Sequence, residues 1–209
     1  MARVIGGSTI GKDCFLDPDV IIGYPARDEL ELLGGDREVE ITGATVGDNC
    51  TLRAGTLYSR ARLGNSVRSG HSWLVREDST VGEGCLIGTG VTIDNDCRIG
   101  NHCSLQTGVY IPTGSRLGNR CFLGPNATLT NDRTPLRTDY QLEAVTLEDD
   151  VTVGANATLM PGITVSEGAF IAGGAIVTRD WPAWKMAMGV PARIMELPEN
   201  LKKPNRLGD

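Results

Sequence analysis

Aromatic side chains are scarce in this chain, at 5% of 209 residues, and histidine occurs only twice. Scarce aromatics beside 27 glycines disfavour an ordinary packed α/β core and point to short strands joined by tight turns. There is no CxxC pair among the six cysteines. No run of apolar residues approaches the length of a membrane span. The opening MARVIGGSTIGKDCF lacks the apolar stretch of a secretion signal, so the expectation is a soluble, cytoplasmic chain. Basic excess is also missing. The formal charge is −6, which leaves no electrostatic footprint for nucleic acid or an anionic membrane.

What the chain has is a beat. Val75, Val81, Ile87, Ile93, Ile99, Leu105, Ile111, Leu117, Leu123 and Leu129 recur at every sixth position. Leu147, Val153, Leu159, Val165, Ile171 and Val177 continue in the same phase after a gap of eighteen residues. A small side chain follows four places later, as at Cys85, Cys97, Cys103, Cys121 and Ala127. An amphipathic helix would show spacings of three and four, and a sandwich strand would alternate at two. A sustained six predicts a prism of short parallel strands in which three hexads make one coil and residues eighteen apart stack. Aliphatic residues fill the interior, and Gly, Asn and Asp take the corners because they tolerate positive φ. The result is an all-β solenoid of one domain over 1–180, with insertions at about 24–40 and 131–145 and a tail over 181–209.

The first insertion, YPARDELELLGGDREVE, is acidic and reads as a loop leaving the prism near its first coil. The beat is also irregular between Ser59 and Trp73. Every cysteine falls four places after a first-position aliphatic residue, in the small inward slot, which makes it a buried hydrophobe rather than a nucleophile.

The ladder resembles the hexapeptide-repeat acyltransferases, whose fold is a left-handed β-helix. The tail RDWPAWKMAMGVPARIM, with Gly189, Pro191 and Arg193 close together, is similar to that family's closing segment. FLGPNATLTNDRTPLR resembles the sugar-nucleotide amine N-acetyltransferases within it, and GHSWLVREDSTVG, with His71, Arg76 and Glu77, is similar to a segment of uncharacterised relatives. The resemblance implies a homotrimer, acetyl-CoA in a groove between neighbouring prisms, and a short C-terminal helix near the adenine. It also implies that the segment after Leu129 is a loop forming the acceptor pocket.

The expected activity is transfer of acetyl from acetyl-CoA to the amino group of a nucleotide-linked amino sugar, directly within a ternary complex. Catalytic candidates are Asp132, to hold the amine or take its proton, Asn131, to position a hydroxyl, and His71. Asn131 stacks by eighteens over Thr113, Asn95 and Glu77, which is equally the pattern of a solvated corner. Relatives carry a carboxylate where this chain has Thr113, which leaves Asp132 as the nearer one. Arg137, Pro135, Thr113 and His102 are candidates for acceptor binding, Arg137 through its bidentate fork or simply as an exposed loop charge. Gly173, Gly174, Lys185 and Arg193 are candidates for acetyl-CoA, the glycines by close backbone approach and the cations by meeting phosphates. Trp181 and Trp184 fit a role in pinning the tail.

Three rivals stand beside this reading. O-acetylation of a hydroxyl needs a histidine base and rests on His71 or His102. A γ-class carbonic anhydrase needs three histidines for zinc, and two do not suffice, so no metal is expected. A non-catalytic β-helix scaffold lacks a use for the loop and the tail.

Overall fold

The structure, a computed structural model, describes residues 1–33, 40–139 and 141–207. The chain winds into a left-handed parallel β-helix of about ten turns, with strands of mostly two residues on three faces. Face A stacks nine strands, from Arg3–Val4 to Ile176–Val177. Face B stacks eight, from Thr9–Ile10 to Thr164–Val165. Face C stacks ten and ends in the tail. Neighbours pair in parallel at an eighteen-residue step, as in Leu74↔Thr92↔Tyr110 and Val81↔Ile99↔Leu117. From Val46 onward first-position residues point inward and are buried, and most of those before them are more exposed.

Across the loop the step becomes thirty, Leu117↔Leu147 and Leu129↔Leu159, so the loop adds twelve residues to one coil without shifting the stack. The irregularity near Trp73 has a different origin from a broken beat. One residue is missing between Leu52 and Leu57, which shortens the pairing step to seventeen at Val46↔Leu63. From Leu57 onward the sixes are intact, through Leu63 and Ser69 to Val75. Ser69 and Trp73 exchange the usual sizes: the serine takes the aliphatic position and the tryptophan the small slot, both buried. Trp73 lies over Gly55, where a Cβ would come within 2.4 Å of its Nε1, and that nitrogen donates to the Arg53 carbonyl at 2.8 Å. Large and small are thus interchanged between the two positions.

The first insertion is not simply a loop. Arg27–Leu33 forms helix α1, and residues 34–39 lie outside the described residues. Its start carries half of a capping box: Ala26 N–H donates to the Glu29 carboxylate, three residues on, at 2.8 Å. The tail, expected to be part helical, has one turn of 3-10 helix at Glu199–Leu201. It otherwise forms an antiparallel hairpin, Lys185–Met188 with Arg193–Glu196, extending face C. Trp181 is buried beneath it, bridged to Val165, and Trp184 covers Gly168. Among the described residues no helix is long and apolar enough to cross a membrane.

Candidate active site

Both insertions leave the prism at the same place. The chain passes from Ile21–Tyr24 on face A to Thr45–Val46 on face B around the first, and from Thr128–Leu129 to Thr146–Leu147 around the second. The A–B edge between them carries an unusual density of polar side chains.

Its upper part is a hydrogen-bonded column. Asn131 Nδ2 donates to the Thr113 carbonyl at 3.3 Å, and Thr113 Oγ1 donates to Asn95 Oδ1 at 2.8 Å. Asn95 Nδ2 then donates to Asp96 at 2.7 Å. Stacking by eighteens therefore brings Asn131, Thr113 and Asn95 together as a connected set. Beside it on face A, Tyr110 donates its hydroxyl to Asp94 at 2.7 Å, and burial followed by that carboxylate pushes the phenol up to about 12. Arg76 lies 2.7 Å from the buried Glu77 and 3.8 Å from Asp94. The sequence reading overlooked Asp94 and Tyr110, although the count of eighteen placed Asp94 next to a residue it had singled out.

The loop itself is braced at its base. Arg133 donates to Glu143 at 3.0 Å and to the Pro161 carbonyl at 2.7 Å, while Glu143 N–H returns to the Asn131 carbonyl at 2.8 Å. Asp132 Oδ1 accepts from Thr134 N–H at 2.9 Å, a local turn in which its second oxygen has no hydrogen-bond partner among the described residues. Pro135 and Arg137 are exposed on the loop, and Arg137 N–H closes a turn onto the Thr134 carbonyl at 3.0 Å. The bracing role of Arg133 was also not anticipated. Its signal, an arginine and a glutamate at the two ends of a break in the beat, was present.

The histidines do not join this set within one chain. His71 is exposed on the C–A edge, with its N–H on Thr89 Oγ1 at 3.3 Å. His102 sits on the B–C edge with φ 56°, its ring where a Cβ on Gly84 would lie.

The four residues assigned to acetyl-CoA gather at the C-terminal end. Gly173 and Gly174 turn the C–A edge between two hydrogen bonds to the hairpin, Ala172 N–H to Ala187 O at 2.8 Å and Ile176 N–H to Gly189 O at 3.1 Å. Gly174 takes φ +70° and faces open space, whereas a Cβ on Gly173 would lie 3.2 Å from a carbonyl oxygen. Lys185 is engaged by Glu196 on the opposite strand, and Arg193 is exposed.

Five cysteines are buried and Cys14 is half-buried, all as free thiols. Burial pushes Cys50 and Cys97 up to about 11, and the contact with Cys121 pushes Cys103 to about 12, so these three are not poised as nucleophiles. Among the described residues no group of three His, Cys, Asp or Glu side chains could hold a metal ion.

Comparison with known proteins gives consistent results. The model described as bacterial transferase hexapeptide (six repeats) matches residues 78–113 and 96–131. A hexapeptide repeat of succinyl-transferase matches 32–57 and 144–179. A 2,3,4,5-tetrahydropyridine-2,6-dicarboxylate N-acetyltransferase from Staphylococcus aureus (strain JH9) is 48% identical over 52 residues, which are 25% of this chain and 22% of that protein. The chain thus matches about a fifth of the length of the curated relatives. Among solved structures, a UDP-N-acetylglucosamine acyltransferase from Campylobacter jejuni superposes with a TM-score of 0.73 at 21% identity, covering 94% of this chain and 73% of that one. The polySia specific acetyltransferase NeuO gives 0.53 at 17% identity, with 91% and 87% covered. At these identities the structural likenesses establish the fold.

Proposed function

Because the chain belongs to the hexapeptide-repeat family of bacterial transferases, we propose that it is an acyltransferase moving an acetyl group from acetyl-CoA to the amino group of a nucleotide-linked amino sugar. The observation that carries the acceptor half is the connected column Asn95–Thr113–Asn131, which ends where the braced loop begins. A rigid stack opening into a loop is a common way for a scaffold to present a site. The names of relatives support the class, since they include an N-acetyltransferase and an acyltransferase named for UDP-N-acetylglucosamine.

In this reading the amine nitrogen attacks the thioester carbonyl carbon. The C–N bond forms, the C–S bond breaks, and the sulfur leaves as thiolate. Asp132, through the oxygen not used by Thr134, takes the proton released by the amine, and that proton ends on the thiolate. Asn131 and Thr113 orient the acceptor, and alignment supplies much of the acceleration. Pro135 and Arg137 border the pocket from the loop. The Gly173–Gly174 corner and Arg193 offer an open, glycine-lined surface for acetyl-CoA. With the thiols buried, transfer is direct. The assembly is a homotrimer in the cytoplasm, and a role for His71 or His102 at this loop requires a neighbouring chain. Transfer to a hydroxyl depends on such a histidine and is the weaker reading.

The test is calorimetric titration with acetyl-CoA and, separately, with UDP-, GDP- and dTDP-amino sugars, followed by turnover of each hit. Acetyl-CoA binding with an amino-sugar hit supports the reading. Absence of any acyl-CoA binding sinks it.

A further inference from the structure

We infer that Arg98 and Arg116, on the outer surface of face B, form a two-guanidinium subsite for the diphosphate of the acceptor's nucleotide carrier. The two are register partners on adjacent strands, so their backbones lie about 4.8 Å apart. Both are exposed, and among the described residues neither has a carboxylate within ion-pair distance, in a chain whose net charge is −6.

Each guanidinium is instead pinned by backbone carbonyls in the same way. Arg98 Nη1 donates to the carbonyls of Asp78 and Cys97, the second at 3.0 Å. Arg116 Nη1 donates to those of Asp96, Gly114 and Ser115, the last two at 2.8 and 3.1 Å. Carbonyls fix the direction of an arginine without cancelling its charge, so the remaining N–H groups are pre-oriented for an anion. The nearby carboxylates are already engaged: Asp78 by Arg60 at 2.9 and 3.1 Å, and Asp96 by Asn95.

Placement links the pair to the acceptor column. Asp96 adjoins Asn95, and Gly114 adjoins Thr113, so Arg116 is anchored on the residues next to two members of the column. In the other direction, Arg98 lines an open groove of about 440 Å³ that runs over Thr80 and Arg62 toward Thr45. That volume falls within the range of about 300–1,000 Å³ usual for ligand clefts. A sugar at the column, phosphates on Arg116 and Arg98, and a nucleoside in the groove follow one line along face B. Only the identity of the ligand rests on the acyl-transfer reading; the anion subsite does not.

The experiment is titration of the intact protein with inorganic pyrophosphate, then with UDP, GDP and dTDP, and in parallel with acetyl-CoA. The Arg98→Gln, Arg116→Gln double variant is expected to weaken pyrophosphate binding about tenfold or more, with acetyl-CoA affinity and melting temperature unchanged. Lysine at both positions restores part of the affinity. Arg68→Gln, an exposed arginine on face C, is expected to change nothing. Absence of pyrophosphate binding, equal binding by wild type and double variant, or an equal loss in Arg68→Gln overturns the subsite. A parallel loss of acetyl-CoA affinity also overturns it, by giving the pair to the thioester's own diphosphate. Pyrophosphate binding that depends on the pair in a protein that ignores acetyl-CoA upholds the subsite while the transfer reading fails.

Discussion

Two edges of the same prism solve the same corner problem differently. On the B–C edge two kinds of bond recur from coil to coil. A corner N–H is taken by the Asn or Asp side chain of the next coil, as in Asp48 N–H to Asn65 at 2.9 Å, Asn101 N–H to Asn119 at 2.9 Å and Asn119 N–H to Asp149 at 2.8 Å. A thiol donates to the next coil's carbonyl, Cys50 to Gly64 at 3.3 Å, Cys85 to Gly100 at 3.2 Å and Cys103 to Gly118 at 3.1 Å. These groups satisfy one another, which leaves the edge little capacity for a ligand. The A–B edge pairs unlike partners, carries both insertions and keeps side chains whose bonding is incomplete. Regularity marks the edge that holds the fold, and its loss marks the edge available for chemistry.

The sharpest way to break that contrast is pH. A buried thiol whose folded value is raised above its unfolded value of 9.0 adds stability that is fully present below pH 9 and is lost as pH rises toward the folded value. Cys50 reaches about 11 and Cys103 about 12, so each removes about 1.4 kcal/mol per pH unit across that window. Thermal melts between pH 8 and 11 are expected to fall steeply, and alanine at Cys50 and Cys103 to flatten the fall. A melting temperature independent of pH over that range would remove the thiol column from the account of stability.

Next in size is the division of labour. Asn131→Ala and Asp132→Ala are expected to lower kcat/KM by about a hundredfold, with chemical denaturation curves close to wild type. Cys103→Ser is expected to cost about 1–3 kcal/mol of stability and to leave turnover per folded molecule unchanged. If the serine variant folds fully and loses turnover, the assignment of the two edges is reversed.

Much of this was legible as sequence. The sixes fixed which residues face inward, and the break after Leu129 located the second insertion. Two parts were not legible in a pattern of residue types. Ser69 in an aliphatic position and Trp73 in a small one disguised an unbroken beat after Leu57, because a size exchange is invisible to a pattern that tests each position alone. The Arg116 bonds to the carbonyls of Asp96 and Gly114 involve backbone that carries no residue signature. The edges, by contrast, were already written in the eighteen-residue count, which puts His71, His102 and Asn131 at three different corners. Gathering them into one site would take more than one chain.

The smallest effects come from the first insertion, and they test whether it belongs to the A–B edge or merely hangs from it. Helix α1 is tied inward through Glu29. This buried carboxylate accepts from Ala26 N–H, Ser59 Oγ and Thr42 N–H and lies 3.5 Å from Arg60. Arg60 also grips Asp78 at 2.9 Å and Asp28 at 3.3 Å, so one guanidinium joins the helix to the prism. Because Arg60 is about a quarter exposed, Arg60→Gln is expected to cost about 1 kcal/mol rather than the full penalty of a broken buried pair. The outer pair, Arg27 with Glu31 at 2.9 Å, is almost wholly in water, and Arg27→Ala is expected to cost at most about 0.5 kcal/mol. Hydrogen exchange of the α1 amides separates the two: faster exchange in Arg60→Gln than in Arg27→Ala means that Arg60 anchors the helix, whereas equal rates in both variants mean that it does not.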